Sequence, residues 1–259
     1  RKVGITMEKK RLIACLDLKD GQVVKGVQFH NFRQQGDPLE MALFYDQAGV
    51  DELFLLDITA TEEGRTIFLD TLKEIRSRVS IPLAVGGGIR SVEMMEGLLE
   101  AGAGKVSIGS AAIREPVLIR EGAAAFGSKA IVVAIDAKRK KDGAGWEVYV
   151  QAGKKATGLD AVEWAIEVEE LGAGEILLTS MDKDGTRDGY DLDLLQAVTA
   201  AVDIPVIASG GAGKPDHFRD AFLSGNAAAV LAASIFHERD FTIAEVKEYL
   251  QAEGIPVRL

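Results

Sequence analysis

The sequence predicts one closed (β/α)8 TIM barrel that spans residues 1–259 as a single domain and is built from two half-barrel repeats. Short apolar runs alternate with amphipathic stretches along the whole chain, and there are eight of each, more strands than a doubly wound sheet usually contains. No Pro/Ser-rich linker interrupts this alternation. Similar segments also recur about half a chain length apart, which indicates two fused half-barrels.

The predicted strands are short apolar runs rich in β-branched residues, as expected for a sheet that is buried on both faces. The first and fifth runs, Leu12–Leu16 and Ile131–Ile135, each end abruptly in an acid, Asp17 or Asp136. The eight strands are predicted near residues 12–17, 53–58, 81–86, 105–108, 130–136, 175–180, 204–208 and 229–232.

The amphipathic stretches predict one helix after each strand. Asp37, which precedes a proline, and Ser91 are typical helix starts. Glycines mark three predicted helix ends, at Gly49, Gly102 and Gly172. The helices are predicted near residues 38–48, 66–78, 91–101, 115–125, 159–171, 191–202, 215–223 and 241–252.

Two connections are too long to be simple turns, residues 19–37 after the first strand and 137–158 after the fifth. Within the second connection, Trp146–Val150 predicts a short hairpin. Connections of this length in a compact domain are usually functional lids, so we expect both to lie over a ligand site.

Composition narrows the class of protein. The net charge of −10 argues against nucleic acid as a partner. The longest apolar runs are far shorter than the roughly 18 residues that a membrane span requires, and the first residues lack the apolar core of a signal peptide. We therefore expect a soluble cytoplasmic protein. Met7 is a natural start, so residues 1–6 are expected to be an N-terminal extension.

The only cysteine, Cys15, lies inside an apolar strand and predicts an inert packed thiol, with no disulfide and no cysteine-based metal cluster. The three histidines, His30, His217 and His237, do not have the spacing of metal ligands. The sequence therefore predicts no metal site.

The internal repeat relates the two halves of the chain. Asp17 and Asp136 occupy equivalent first-strand positions, so they are expected to face each other across one mouth of the barrel. The aligned segments are Glu52–Asp57 with Glu175–Ser180 and Gly86–Gly88 with Ser209–Gly211, both at an offset of 123 residues, and Ser107–Ala111 with Leu231–Ile235 at an offset of 124.

Two glycine-rich loops are candidate anion sites, because their backbone N–H groups can approach a phosphate closely. The alternative is that the glycines only satisfy tight turns. The duplication favours phosphate binding, since one copy follows strands 7 and 8, the usual phosphate position of this fold. Two such sites predict an elongated ligand with a phosphate at each end. The candidate residues are Gly87, Gly88, Gly109 and Ser110 at the first site, and Ser209, Gly210, Gly211, Ala233 and Ser234 at the second.

Asp17 and Asp136 are candidates for an acid/base pair, because repulsion in a partly dry site can separate the proton affinities of two carboxyls. Alternatively, each carboxylate caps its own loop or pairs with a nearby lysine. Their equivalent placement favours catalysis. Asp57 and Asp184 lie near the same rim and are expected to be supporting groups.

A second charged set lies at the opposite ends of the strands, each residue immediately before an apolar run. Two bases and two acids at the closed end of a barrel can simply neutralise one another, and residue patterns alone assign that face to stability. The four residues are Arg11, Glu52, Lys105 and Glu175.

Together these motifs resemble the cyclase subunits of imidazole glycerol phosphate synthases, a family of histidine-biosynthesis enzymes. The resemblance extends from Arg11 to Leu259 and is highly specific as a set. The matching runs are Ala14–Gly21, Val85–Ile89, Val133–Lys138, Asp182–Thr186 and Ala208–Lys214.

The resemblance implies a reaction and a partner. Ammonia would add to the ribulose part of a phosphoribulosyl formimino-aminoimidazole carboxamide ribonucleotide, giving imidazole glycerol phosphate and aminoimidazole carboxamide ribonucleotide, with Asp17 as general base and Asp136 as general acid. No metal or organic cofactor is implied. The four charged residues would form a gate for ammonia from a glutaminase subunit, which forms a heterodimer at the N-terminal face. Further positions that match substrate-binding residues are Lys25, Thr179, Asp184, Gly185 and Ser209.

The sequence departs from this family at three points: Gly109 replaces a common asparagine, Gly104 replaces an acid before Lys105, and Gly225–Ala229 is one residue longer than usual. Two alternative functions stay open. The sister isomerase of the same pathway shares the repeat, the phosphate sites and the acid pair, and Gly109 favours it slightly. A non-catalytic phosphate-binding barrel is the other, and it does not require intact acids at both strand tips.

Overall fold

The computed structural model describes residues 8–27, 30–58, 62–237 and 240–259, without the side chains of 25–27, 30–35, 62–67, 234 and 237. The predicted extension 1–6 and Met7 lie outside the described residues. Twelve strands form one sheet. They are β1 (Arg11–Lys19), β2 (Gln22–Val27), β3 (His30–Gly36), β4 (Glu52–Asp57), β5 (Leu83–Gly86), β6 (Lys105–Ile108), β7 (Ile131–Arg139), β8 (Trp146–Val150), β9 (Lys155–Asp160), β10 (Glu175–Ser180), β11 (Val206–Ser209) and β12 (Ala229–Ala232).

Eight of these strands are parallel and close into a barrel, which confirms the predicted (β/α)8 TIM barrel. Around the barrel their order is β1-β4-β5-β6-β7-β10-β11-β12. β12 pairs with β1. β10 pairs along its full length with β7, from Glu175 beside Val132 to Ser180 beside Ala137. The carboxyl ends of all eight strands therefore meet at one mouth.

The other four strands extend the barrel at the mouth as two antiparallel sheets. β1 continues into β2 and β3, and β7 continues into β8 and β9, so both halves of the chain carry the same extension. The hairpin predicted around Trp146–Val150 is confirmed, since these residues form β8, which pairs antiparallel with β7 and β9. Asp17 pairs with Val24, and Asp136 pairs with Tyr149, so each acid lies where a barrel strand enters its extension.

The described part of the chain contains ten α-helices, most of them packed outside the barrel. No described helix is both long enough and apolar enough to cross a lipid bilayer. The predicted stretch 115–125 is α5, and a separate short helix precedes it. The helices are α1 (Pro38–Ala48), α2 (Glu62–Arg78), α3 (Val92–Glu100), α4 (Ser110–Arg114), α5 (Val117–Phe126), α6 (Ala161–Glu170), α7 (Leu192–Thr199), α8 (Pro215–Leu223), α9 (Ser234–His237) and α10 (Ile243–Ala252).

Backbone caps confirm the predicted helix starts and repeat between the two halves. The Asp37 side chain accepts a hydrogen bond from the N–H of Glu40 at the start of α1, and Ser91 accepts one from Met94 at the start of α3. Asp160, which is 123 residues after Asp37, caps α6 in the same way. These interactions satisfy backbone donors that a helix cannot satisfy itself.

A second pair of side-chain contacts has the same offset. In the first half, Asp46 accepts hydrogen bonds from the backbone N–H groups of Ser80 and Ile81. In the second half, Glu169 accepts them from Asp203 and Ile204, each 123 residues further on. The half-barrel repeat is therefore present in the hydrogen bonds as well as in the sequence.

The glycine loops at the mouth are fixed by close backbone packing. Gly87 follows β5 with φ of 103°, and a Cβ atom there would lie 1.9 Å from the carbonyl oxygen of Asp57. Its counterpart Gly210 follows β11 with φ of 89°, and a Cβ atom would lie 2.8 Å from the carbonyl oxygen of Ser180. Both positions therefore require glycine whether or not an anion binds.

Replacing Gly87 by alanine should destabilise the fold by about 2 kcal/mol or more, because the added methyl group meets the Asp57 carbonyl in a left-handed conformation. Gly97 on α3 is the matched control. No atom lies within 4 Å of a Cβ atom added there, so Gly97→Ala should stabilise the helix by about 0.5–1 kcal/mol. Urea unfolding measures both changes, and equal stability of the two variants would contradict the packing argument.

Candidate active site

Alternate residues of the barrel strands face the interior of the barrel, which we call the lumen. Its middle is apolar and tightly packed. On β1, Arg11 and Asp17 lie below and above this middle on the same face of the strand. The buried side chains of the lumen are Ile13, Cys15, Phe54, Ala84, Val132, Leu177, Ile207 and Ala229.

Asp17 is half-buried at the mouth of the lumen and accepts a hydrogen bond from the Cys15 thiol, with Sγ 3.8 Å from Oδ1. Burial raises the pKa of Asp17 to about 6, the hydrogen bond from Cys15 opposes this rise, and the nearby charge of Asp184 adds to it. The carboxyl therefore exchanges protons near neutral pH.

Asp136 is half-buried on β7, and burial together with the charge of Asp184 raises its pKa to about 6. The pKa of Asp184 is itself raised by burial, although a hydrogen bond from the Gly185 N–H lowers it. In the strand register Asp136 lies beside Thr179 of β10, and Thr179 lies beside Ser209 of β11. Three neighbouring strands therefore place polar side chains along one side of the mouth.

This arrangement suits proton transfer. Asp184 acts electrostatically on both Asp17 and Asp136, so the two predicted acids share one further carboxyl as a neighbour. Carboxyls whose pKa is raised toward working pH can serve as general acid or general base, since both protonation states are then populated. The site can therefore move protons at a ligand held between the two halves of the barrel.

Cys15 is buried in the lumen, and burial raises the pKa of its thiol well above the ordinary value. Because the thiolate is the nucleophilic form, this cysteine does not have the properties of a catalytic nucleophile. The prediction of a packed, unreactive thiol agrees with its position. Sequence analysis missed its hydrogen bond to Asp17, which the two-residue spacing on one strand face could have indicated.

The first predicted anion site lies where β5 and β6 end. Gly87 and Gly88 both have positive φ, and Gly109 precedes α4, which begins at Ser110. The Ser110 hydroxyl accepts a hydrogen bond of 3.2 Å from the Gln151 N–H, at the tip of the β8–β9 hairpin. The second extension therefore reaches the first anion site, a contact that the sequence did not reveal.

Gly109 differs from the other glycines of this site. A Cβ atom there would lie 3.7 Å from Ala134, an ordinary contact distance. Close packing therefore does not require glycine here as it does at Gly87, and the departure from the asparagine of the resembling family has no steric explanation in the space around the Cβ atom.

The second predicted anion site lies at the ends of β11 and β12. Gly210 and Gly211 have positive φ, and the carbonyl oxygen of Gly211 accepts a hydrogen bond from the Gly189 N–H. Ala233 is half-buried next to α9, which begins at Ser234. The two sites thus occupy equivalent places in the two half-barrels.

Three predicted residues need separate mention. Lys25 lies on β2, but its side chain is outside the described residues, as is that of Ser234. Asp57 is buried, but alternation along β4 turns it away from the lumen, and it lines a cavity of about 140 Å³ behind Gly87. The structure therefore does not bring Asp57 together with the acid pair.

The four charged residues at the closed end form one ring of ion pairs, which we call the closed-end ring. Arg11 pairs with Glu175, and its guanidinium lies 2.6 Å from Glu52 Oε2. Lys105 Nζ lies 3.1 Å from Glu52 Oε2 and 2.8 Å from Glu175 Oε2. Positive and negative side chains therefore alternate around the bottom of the lumen.

The ring is buried on its acidic side and partly exposed on its basic side. Glu52 and Glu175 are 2% and 4% exposed, whereas Arg11 and Lys105 reach solvent. Burial alone would lower the pKa of Arg11, but the carboxylates of Glu175 and Glu52 outweigh it and raise this pKa. Both buried carboxylates are thus paired with basic side chains, as the interpretation of these four residues as mutually neutralising charges requires. These ion pairs do not by themselves assign the ring a role as a gate for ammonia.

A comparison with protein families agrees with this geometry. The family model described as Histidine biosynthesis protein matches residues 11–242, a segment that contains the acid pair, both glycine loops and the closed-end ring. The resemblance to histidine-biosynthesis enzymes is confirmed at the level of this family. Because the match covers most of the 259 residues, the chain belongs to the histidine biosynthesis protein family.

Proposed function

We propose that this protein is the cyclase subunit of an imidazole glycerol phosphate synthase. It would use ammonia to convert the phosphoribulosyl formimino-aminoimidazole carboxamide ribonucleotide to imidazole glycerol phosphate and aminoimidazole carboxamide ribonucleotide. The observation that carries this proposal is the closed-end ring, since it lies in the same lumen as the acid pair. An isomerisation needs no second reactant and hence no such entrance.

The lumen suits neutral ammonia rather than ammonium. From Arg11 to Asp17 the chain advances six residues, about 20 Å at the usual rise of a strand. The side chains between the ring and the acids are apolar or small, and an isolated cation pays a large desolvation penalty in such surroundings. Since the lumen is packed, passage requires small movements of its side chains.

The acid pair supplies the proton transfers of the reaction. When ammonia adds to a carbonyl carbon, nitrogen must lose a proton and oxygen must gain one before water can leave. Asp17 in its charged form accepts the first proton, and Asp136 in its protonated form donates the second. The raised pKa values, each about 6, support these roles because both forms are available near neutral pH.

The glycine loops would hold the two phosphates of the substrate, one at Gly87 and Ser110 and the other at Gly210 and Ser234. Backbone N–H groups and small residues provide close, rigid contacts with a phosphate. A ligand anchored at both ends would lie across the mouth with its middle between the acids. This placement accounts for the duplicated site in one barrel.

Ammonia would reach the ring from a glutaminase subunit docked on the N-terminal face. The chain itself lacks the chemistry for glutamine hydrolysis, which usually needs an accessible cysteine next to a histidine. Its only cysteine is Cys15, a buried thiol with a strongly raised pKa. A separate subunit or free ammonia must therefore supply the nitrogen.

The sister isomerase is the second candidate, and Gly109 is the observation that favours it. The acid pair and both glycine loops suit either enzyme. The closed-end ring favours the cyclase, because it would serve there as the entrance for ammonia, whereas in the isomerase its ion pairs would only stabilise the barrel. A non-catalytic barrel is disfavoured because it would gain nothing from two destabilised carboxyls at its mouth.

Asp17→Asn and Asp136→Asn should each lower turnover by at least about a hundredfold, with substrate affinity within roughly tenfold of the parent, because general acid/base groups act mainly in the transition state. Steady-state kinetics with ammonium measures this. Asp188→Asn is the matched control, since Asp188 is an exposed carboxylate on the same connection as Asp184. Near-normal turnover of either aspartate variant would remove that residue from the mechanism.

The purified chain should form both products from the phosphoribulosyl substrate with ammonium salts and neither with glutamine. Activity should rise with pH above neutrality, because neutral ammonia becomes more abundant. Adding a matching glutaminase should confer glutamine use. Glutamine turnover by the chain alone, or cyclisation without a nitrogen source, would contradict the proposal.

Variants of the closed-end ring refine this assay. Lys105→Met and Glu175→Gln should impair the glutamine route more than the ammonium route, because dissolved ammonia can also enter from the mouth. Arg219→Met is the matched control, since it breaks an ion pair with Asp220 outside the lumen. Equal losses in both routes for the ring variants would favour a purely structural ring and contradict its role as a gate.

A further inference from the structure

Asp17 and Asp136 differ in the lumen-facing side chain that precedes each of them by two residues on its strand. Below Asp17, two residues back on the same face of β1, is Cys15, whose thiol donates to Oδ1 across 3.8 Å. Below Asp136, two residues back on β7, is Ala134, which faces the lumen as a methyl group. The two half-barrels therefore differ at this pair of positions, directly next to the two acids.

The difference has a direct electrostatic effect. A thiol is a weak hydrogen-bond donor, and a donor that faces a carboxylate stabilises its charged form. Because burial keeps the pKa of Cys15 well above its ordinary value, the thiol retains its proton and stays a donor throughout the working pH range. An alanine methyl group offers no such donor to Asp136.

We propose that Cys15 is a positioning residue that holds Asp17 in its charged, proton-accepting form and thereby makes Asp17, rather than its twin Asp136, the general base. The proposal rests on the proposed function, since it requires that both aspartates transfer protons. It assigns the two roles from a structural asymmetry.

Two other ionisable groups among the described side chains act on this site, and neither supplies the same asymmetry. Asp184, on the connection after β10, repels the charged forms of both aspartates and of Cys15. Tyr45, on α1, interacts electrostatically with Cys15, but burial raises its pKa and keeps it neutral. The thiol is therefore the group that distinguishes Asp17 from Asp136.

Sulfur also suits the distance. A sulfur donor at 3.8 Å is near the long end of its contact range, whereas hydroxyl hydrogen bonds to oxygen span about 2.5–3.0 Å. A serine at position 15 would place its oxygen even further from Asp17 because the C–O bond is shorter than the C–S bond. We therefore expect serine to replace the thiol only in part.

The test is a set of lumen variants with opposite changes of volume. Cys15→Ala removes volume and Cys15→Val adds it, and both remove the donor. Ala134→Cys adds a donor below Asp136, where the absent side chain of Gly109 leaves space. The carboxyl carbons of Asp17 and Asp136 are titrated by NMR in protein labelled at aspartate, with Asp17→Asn and Asp136→Asn used for assignment.

Both Cys15 variants should move the titration midpoint of Asp17 upward by about 0.5 pH units, because the charged form loses a donor. The acid limb of the turnover profile should move up with it, so turnover falls near pH 6 and is little changed at pH 8. Ala134→Cys should move the midpoint of Asp136 downward. These three results support the proposal.

An unchanged Asp17 midpoint in both Cys15 variants would overturn it, as would shifts of opposite sign that follow the change of volume. Cys15→Ser with a midpoint between parent and alanine variant would support it further. The titration midpoints are measured without substrate, so they test the role of Cys15 independently of turnover. The proposed function is tested separately, and it fails if Asp17→Asn retains turnover.

Discussion

Backbone pairing between β7 and β10 closes the parallel sheet into a barrel, and the other features of the molecule depend on this closure. An open sheet has two faces, whereas a closed barrel has an interior into which every second residue points. Closure brings Glu175 into the ring at one end of the lumen and sets Asp136 beside Thr179 at the other. The closed-end ring and the acid pair therefore lie at opposite ends of one interior.

The same burial gives the site its electrostatic properties. At the closed end, the two buried carboxylates are paired with Arg11 and Lys105, so neither is buried without a partner of opposite charge. At the mouth, Asp17 and Asp136 are half-buried near a third acid, and their pKa values rise to about 6. Because the folded state then binds protons more tightly than the unfolded chain, ionising these carboxyls lowers stability as pH rises from about 4 to 6. The raised pKa values that would let Asp17 and Asp136 transfer protons therefore reduce the stability of the fold at neutral pH.

Much of this architecture could be predicted because apolar runs and their terminal acids are local features. The barrel strands, the repeat and the caps at Asp37 and Ser91 follow from such patterns. The extension strands β2, β3 and β9 do not, because β3 and β9 are mostly polar and β2 is a short segment that pairs only at the mouth. The ring was predicted as a set, but its pairing joins residues 41 to 164 positions apart. Asp57 was judged by its place in sequence, although counting by twos from Phe54 turns it outward.

A crystal structure with a bound bisphosphate substrate analogue would test the central claim most directly, namely that the duplicated loops suspend a ligand between two reactive carboxyls. One phosphate should lie against the N–H groups of Gly87 and Ser110 and the other against those of Gly210 and Ser234. The middle of the ligand should lie within hydrogen-bond reach of Asp17 and Asp136. Binding of both phosphates to one half-barrel, or a ligand whose middle is remote from either acid, would contradict the claim.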